Sequence, residues 1–368
     1  MRLRLGVVLP VSVVMLAFAA SGELASAATK VSFGQVSPTA TTWPGIVATR
    51  KGFFAANGVE MDTVSIGVSP GMQAVASGSL NIMHNTCNAV ISFIEQGGKG
   101  THLSVVSMGI HPGVVVGKKG LASPSELKGK VVGTSSIKSG STILLRRLLK
   151  ARGLAAGDYD VVAGQGSAQI FSGLQAGAFD AIWLVPPQSL TAVTAGFPVI
   201  GTFKEVAPKF PFVCFATNDA WVKSNTAAAQ GFAKAWLAAV AWLYDPANRA
   251  EAEKLLAEEL KLSPAIAAAT YDELLVKNRD TYPRDGRVDA EVLRGMIDIM
   301  VEGEELAAKP QGDVGRAARR EADHDPDRLR RIGLRRRHAA RRAGERERGA
   351  KQRSSKDHLP PPSIVSSR

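Results

Sequence analysis

Residues 74–84 (AVASGSLNIMH) and 173–183 (GLQAGAFDAIW) repeat one local pattern 99 positions apart. Each closes an amphipathic helix, stops it at a glycine (Gly78, Gly177) and runs into a short apolar strand. A helix that ends through a left-handed glycine and delivers a buried strand is one αβ unit of a largely parallel sheet. Two such units imply two similar α/β lobes, and a cleft between lobes is where a small ligand binds.

The N-terminus carries an export pattern. Arg2 and Arg4 precede an apolar stretch, Leu5–Ala20, and Ala25-Ser26-Ala27 matches a small-residue cleavage site. This is the form of a secretory signal peptide cut between Ala27 and Ala28. The competing reading, a membrane anchor, needs about 20 apolar residues, and this stretch is shorter and contains Pro10. A soluble, exported protein is expected.

Charge divides the chain. The whole protein has a net charge of +12, and residues 309–368 contain 18 Lys/Arg against 8 Asp/Glu. No aromatic residue follows Tyr282. Such a tail cannot bury a core and is expected to be disordered. Translation in the wrong frame of a GC-rich gene explains its Arg/Ala/Gly/Pro bias better than a nucleic-acid arm, which would want aromatics to stack on bases. Removing residues 309–368 is therefore expected to leave the melting temperature and ligand affinity nearly unchanged in a thermal-shift and calorimetric comparison.

In the body, strands and helices alternate. Strands are expected at Val31–Val36, Val59–Ile66, Leu80–His84, Leu103–Ile110, Val114–Lys118, Lys130–Thr134, Tyr159–Val162, Ala181–Val185, Pro198–Phe203 and Val213–Thr217. Helices are expected at Pro44–Ala56, from Ser69-Pro70 onward, and at Asn88–Gln96, Ile143–Arg152 and Ala168–Ala176. Four more follow at Ala227–Tyr244, Pro246–Leu260, Pro264–Asn278 and Asp289–Ala307. Proline opens several of these helices and glycine closes them. The chain divides into lobe 1 (28–118 and 213–308, the latter mostly helical) and lobe 2 (119–212). Cys87 and Cys214 are widely spaced. Two buried free thiols are the plainer reading, although an exported protein permits a bridge. His84, His102 and His111 show no metal-ligand spacing.

Residues 51–61 (KGFFAANGVEM), with Gln73–Ile82, Leu127–Gly133, Ser139–Leu149 and Gly173–Ala181, resemble in order the motifs of periplasmic solute-binding proteins of ABC importers. The resemblance is to the sulfonate/nitrate/taurine type and covers Lys30–Ala307. It implies a type II periplasmic-binding-protein fold, two α/β lobes joined by a two-segment hinge. It also implies a small-molecule solute and an ABC permease in the inner membrane as partners. No nucleic acid, cofactor or catalysis is expected, and a monomer is expected. The family would finish with an aromatic-bearing helix where this chain has its Arg-rich tail, which supports the frameshift reading. The alternative is a pyrimidine-precursor-binding protein or a synthase-like enzyme of thiamine metabolism; enzymes that make the thiamine pyrimidine share the fold, but Cys87 and Cys214 cannot supply their Cys-rich iron motif. A sensory domain would need a second membrane segment.

Ligands of open α/β lobes sit beyond the carboxyl ends of the strands. The loops there are Ser37–Trp43, Gly67–Met72, His84–Asn88, Gly109–Gly113, Ser135–Thr142 and Trp183–Gln188. Ser139-Gly140-Ser141-Thr142 opens a helix and offers hydroxyls and free N–H groups to an anion, with Lys138 adding charge. Ordinary capping by Ser139 or Ser141 is the alternative. His84-Asn85-Thr86 forms a polar turn at the end of an apolar strand. Thr41, Gly71 and Met72 join the candidate set. Trp43 and Trp183 are candidate apolar walls, and Pro186 stiffens the facing loop.

Overall fold

A computed structural model describes residues 28–306 apart from 99, 135, 136, 138, 165 and 288. The signal-peptide and tail readings, and Lys138, lie outside the described residues. The strands are β1 (Thr29–Gln35), β2 (Val59–Ser65), β3 (Ile82–Thr86), β4 (Thr101–Met108) and β5 (Val114–Gly117). They continue as β6 (Val131–Thr134), β7 (Asp160–Ala163), β8 (Ala181–Leu184), β9 (Val199–Thr202) and β10 (Val213–Asn218). The helices are α1 (Trp43–Arg50), α2 (Phe53–Ala56), α3 (Val68–Ser77), α4 (Cys87–Glu95), α5 (Gly140–Ala151), α6 (Ser167–Gln175) and α7 (Gln188–Thr194). After them come α8 (Asp219–Ser224), α9 (Thr226–Leu243), α10 (Arg249–Leu260), α11 (Pro264–Tyr271) and α12 (Ala290–Glu302).

The strands form two five-stranded sheets, ordered β2-β1-β3-β10-β4 and β7-β6-β8-β5-β9. The repeated sequence unit supplies the central strand of each: α3 turns through Gly78 (φ +81°) toward β3, and α6 through Gly177 (φ +78°) toward β8. In each sheet the first three strands in order are parallel. The fourth, β10 or β5, runs antiparallel to its neighbours and arrives from the other sheet. The chain therefore crosses between sheets twice, at residues 109–113 and 203–212. This is the type II periplasmic-binding-protein fold, with a mixed sheet in each lobe.

Two helices depart from a single regular α-helix. Pro44–Ala56 is broken into α1 and α2 because Gly52 takes φ +72° between them. Pro264–Asn278 is helical throughout but widens to a π-helix over Asp272–Lys277.

The first lobe's core is aromatic. Phe215 and Trp236 meet edge-on at 4.8 Å, Phe54 stacks on Phe232 at 5.5 Å, and Phe33 packs beside both Phe215 and Phe232. These side chains are at most 4% exposed. Cys87 and Cys214 are joined in a disulfide, with Cα atoms 5.0 Å apart, which corrects the free-thiol reading. The cause is register: β3 and β10 pair antiparallel with Cys214 opposite Asn85, two positions before Cys87.

α12 touches both lobes. Glu305, just beyond it, accepts from Asn88 Nδ2 (2.8 Å) and Ser92 Oγ (3.0 Å) on α4. Glu302 pairs with Arg147 of α5, and Gly303 lies so close to Ile143 that a Cβ there would clash at 2.7 Å. Burial raises the Glu305 carboxyl pKa despite its two donors.

Candidate functional site

The N-termini of α4 and α5 meet where the two lobes face each other. A Cβ on Gly140 would stand 2.6 Å from Asn88 Oδ1, so glycine is the residue that permits this approach. Asn88 is 1% exposed, and its Oδ1 has no hydrogen-bond partner among the described residues. Ser141, 2% exposed, lies 2.7 Å (Oγ) from His111 Nε2 in the first crossover.

His111 is boxed by rings: Phe212 at 3.9 Å, Phe203 at 4.9 Å, Trp183 at 5.8 Å and Phe210 at 6.4 Å between centroids. Burial in this box pushes its pKa down to about 3, so the imidazole is neutral at physiological pH. The Gly113 N–H donates to Nδ1 at 3.0 Å. Nδ1 is thus the acceptor, the ring proton is on Nε2, and Nε2–H donates to Ser141.

The remaining residues at the α5 start hold one another. The Ser139 side chain caps the helix by accepting from Thr142 N (3.3 Å). Thr142 Oγ1 lies 3.0 Å from Ser139 Oγ and 2.6 Å from Thr134 Oγ1. Trp183 Nε1 donates to Thr134 Oγ1 at 2.9 Å. Ordinary capping therefore accounts for Ser139, and Thr142 and Trp183 belong to the same structural network. Removing the Thr142 hydroxyl isosterically (Thr142→Val) is expected to cost about 1–2 kcal/mol of stability in urea denaturation, because it unties the network from inside the helix start.

The candidates from lobe 1 divide. Trp43 is fully buried, edge-on to Tyr271, in the core rather than on a cleft wall. Gly71 and Met72 seat α3 on β3: a Cβ on Gly71 would meet Met83 Sδ at 2.7 Å, and Met72 is 1% exposed. Thr41 bonds Thr39 through its hydroxyl at the turn into α1. His84 is buried among Phe33, Phe215 and Trp236, and burial lowers its pKa to about 3. Asn85 accepts from Thr86 N through Oδ1, leaving its buried Nδ2 without a partner. Thr86 precedes α4 without a side-chain cap bond. Pro186, joined to Pro187 by a cis peptide, turns β8 into α7. The structure thus gathers Gly140 and Ser141, with Trp183 beside His111, and places Trp43, Gly71, Met72 and His84 in the packing. Asn88 and His111 lie on two of the loops the sequence offered, 84–88 and 109–113, but neither was singled out as a site residue. Besides its loop, the signal for Asn88 was a lone asparagine at the start of the apolar helix 87–95.

Solved structures similar in fold include the following three. A protein from Bordetella bronchiseptica is 22% identical, with a TM-score of 0.63 and coverage of 80% of this chain and 98% of its own. The alkanesulfonate-binding protein SsuA from Xanthomonas axonopodis pv. citri, bound to MOPS, is 16% identical (TM-score 0.63; 78% and 96% covered). The periplasmic nitrate-binding protein NrtA from Synechocystis is 17% identical (TM-score 0.64; 79% and 85% covered). Compared with curated proteins, the sequence has no significant match. The sequence pattern of one family spans residues 25–257, well over half of the chain, and on that match the protein belongs to the NMT1-like family.

Proposed function

We propose that this protein is the extracytoplasmic solute-binding component of an ABC importer. It captures a small organic anion, of the sulfonate or taurine kind, between its lobes and delivers it to a membrane permease. The reading includes export through a signal peptide cleaved between Ala27 and Ala28, and lobes spanning 28–118 with 213–308, and 119–212. The observation that carries it is the Ser141 hydroxyl. It sits at the N-terminus of the 12-residue α5, already accepts from His111, and its proton has no acceptor among the described residues. A donor at the positive end of a helix suits an anionic oxygen. Exposed apolar side chains at strand carboxyl ends, Val36 and Val68 in lobe 1 and Ile137 in lobe 2, favour an organic group over nitrate.

A serine hydrolase is the second reading, and the short Ser141–His111 contact is what favours it. The hydrogen bonding runs the wrong way: a general base needs a free lone pair on Nε2, and here Nε2 carries the proton. The synthase alternative would need a thiol, and Cys87 and Cys214 are bonded to each other.

Native mass spectrometry of protein purified from the periplasm, with thermal shift against sulfonates, taurine, nitrate, nucleotides and metals, tests the proposal. One small organic anion should raise the melting temperature, and Ser141→Ala should weaken its binding by about 1–3 kcal/mol. Stabilisation by nucleotides or metals alone would sink the importer reading.

A further inference from the structure

Two buried histidines in this fold are bonded to serines in the same way, but the two hydroxyls end differently. His84 Nε2 lies 3.0 Å from Ser107 Oγ, and Ser107 donates onward to the Val213 carbonyl at 3.2 Å. Ser107 therefore accepts from His84 and the chain of bonds closes inside the core. His111 Nε2 donates to Ser141 Oγ at 2.7 Å, and there the chain stops: the Ser141 proton meets no acceptor among the described residues, although the side chain is buried. A buried hydroxyl proton without an acceptor is costly, and native structures keep such groups for a reason. Asn88 Oδ1, against Gly140 next to Ser141, is a second unsatisfied buried atom at the same junction.

We propose that His111 is a positioning residue for the solute: by donating Nε2–H to Ser141 it occupies that oxygen as an acceptor and commits the Ser141 hydroxyl to donate to an acceptor atom of the bound molecule. The proposal rests on the solute-binding reading above. Gly113 fixes the tautomer from one side, and the aromatic box keeps the ring from turning over. The groups facing the ring are Trp183 from β8, Phe203, Phe210 and Phe212 from the second crossover, and the Ser141 hydroxyl from α5. No charged side chain is among these contacts, so among the described residues nothing beside the ring stabilises an imidazolium. The Ser141 donor consequently keeps its direction as the periplasm acidifies.

The test has one arm without a ligand and one with a named probe. Long-range 1H–15N spectra of full-length protein labelled at histidine should show His111 with a pyrrole-type Nε2 and a pyridine-type Nδ1 from pH 8 to pH 5. A fluorophosphonate should leave Ser141 unlabelled. An Nδ1–H tautomer, protonation of His111 within that range, or covalent labelling of Ser141 would overturn the proposal. In the second arm MOPS is titrated calorimetrically into wild type, His111→Gln, whose amide can still donate, and His111→Phe, which fills the box without a donor. Affinity should fall about tenfold or more in His111→Phe and be rescued to within about threefold of wild type in His111→Gln. Equal binding by all three overturns the positioning role. Failure of MOPS to bind any of them counts against the sulfonate reading, while the tautomer is still decided by the spectra.

Discussion

Replacing both Cys87 and Cys214 with alanine is expected to lower unfolding stability by several kcal/mol, with about 5 kcal/mol as the upper figure. The bridge joins residues 127 positions apart, and cross-linking a loop of that length removes close to this much chain entropy from the unfolded state. The closed loop holds β4 to β9, and so the whole second lobe, while both cysteines belong to the first. The bridge therefore does not tie the lobes together, and closure on a solute should survive its loss. Its effect is on the unfolded ensemble, which should expand when reduced, so the urea m-value should rise as the midpoint falls. Urea denaturation of the oxidised protein and the double alanine variant measures both quantities. A loss below about 1 kcal/mol with unchanged m would mean that native-state strain cancels the entropic gain. Both cysteines are fully buried, so two alanines leave small gaps, and the cavity contribution is minor beside the loop term.

The αβ repeat was legible in the sequence because it rests on local chemistry. Gly78 and Gly177 sit in the left-handed region where other residues are strained, and the apolar runs after them are too short for helices. From that repeat the two lobes follow, while the central place of β3 and β8 comes from long-range strand pairing. The disulfide was not legible, because it depends on β10 returning from the other lobe to pair antiparallel with β3. No local pattern encodes that register. The split of Pro44–Ala56 could have been read from Gly52, which follows the polar run Thr49-Arg50-Lys51 and precedes the apolar pair Phe53-Phe54.

The site was half legible for a similar reason. The run Ser139–Thr142 marks a helix N-terminus in any context, and the sequence alone left open whether its hydroxyls face a ligand or the helix. Packing gives each hydroxyl its own partners: Thr142 is held by Thr134 and Ser139, and Ser141 is held by His111 from a crossover 30 positions away. Trp43 illustrates the opposite failure. It opens α1, eight positions beyond the carboxyl end of β1 and so near the place for a ligand wall, yet the helical C-terminal part of the chain brings Tyr271 onto it and it is fully buried.

Acid should destabilise this protein well above the range where carboxylates titrate. His84 and His111 both have folded pKa values lowered to about 3 by burial, from 6.5 when exposed. In each case the unfolded chain takes up a proton below pH 6.5 and the folded chain does not. The stability these groups allow is therefore present above pH 6.5 and is lost as pH falls from there toward 3. Each unit of difference is worth about 1.4 kcal/mol per group, so the two together remove roughly 5 kcal/mol between pH 7.5 and pH 4.5. Glu305 works in the opposite direction: its raised pKa means that its burden is relieved on acidification, but it is one partly solvated group against two fully buried ones. Asp158, Asp180 and Glu205 have lowered pKa values and lose their contributions at still lower pH, outside this window. Urea denaturation at half-unit steps from pH 7.5 to 4.5 should give a slope approaching two protons taken up per molecule on unfolding. His84→Gln and His111→Gln should each lower that slope by about one proton, whatever they do to stability at neutral pH. A flat profile down to pH 5 would mean that the imidazoles find water or a counter-charge as they protonate, and the closed aromatic box around His111 could not then be its resting state.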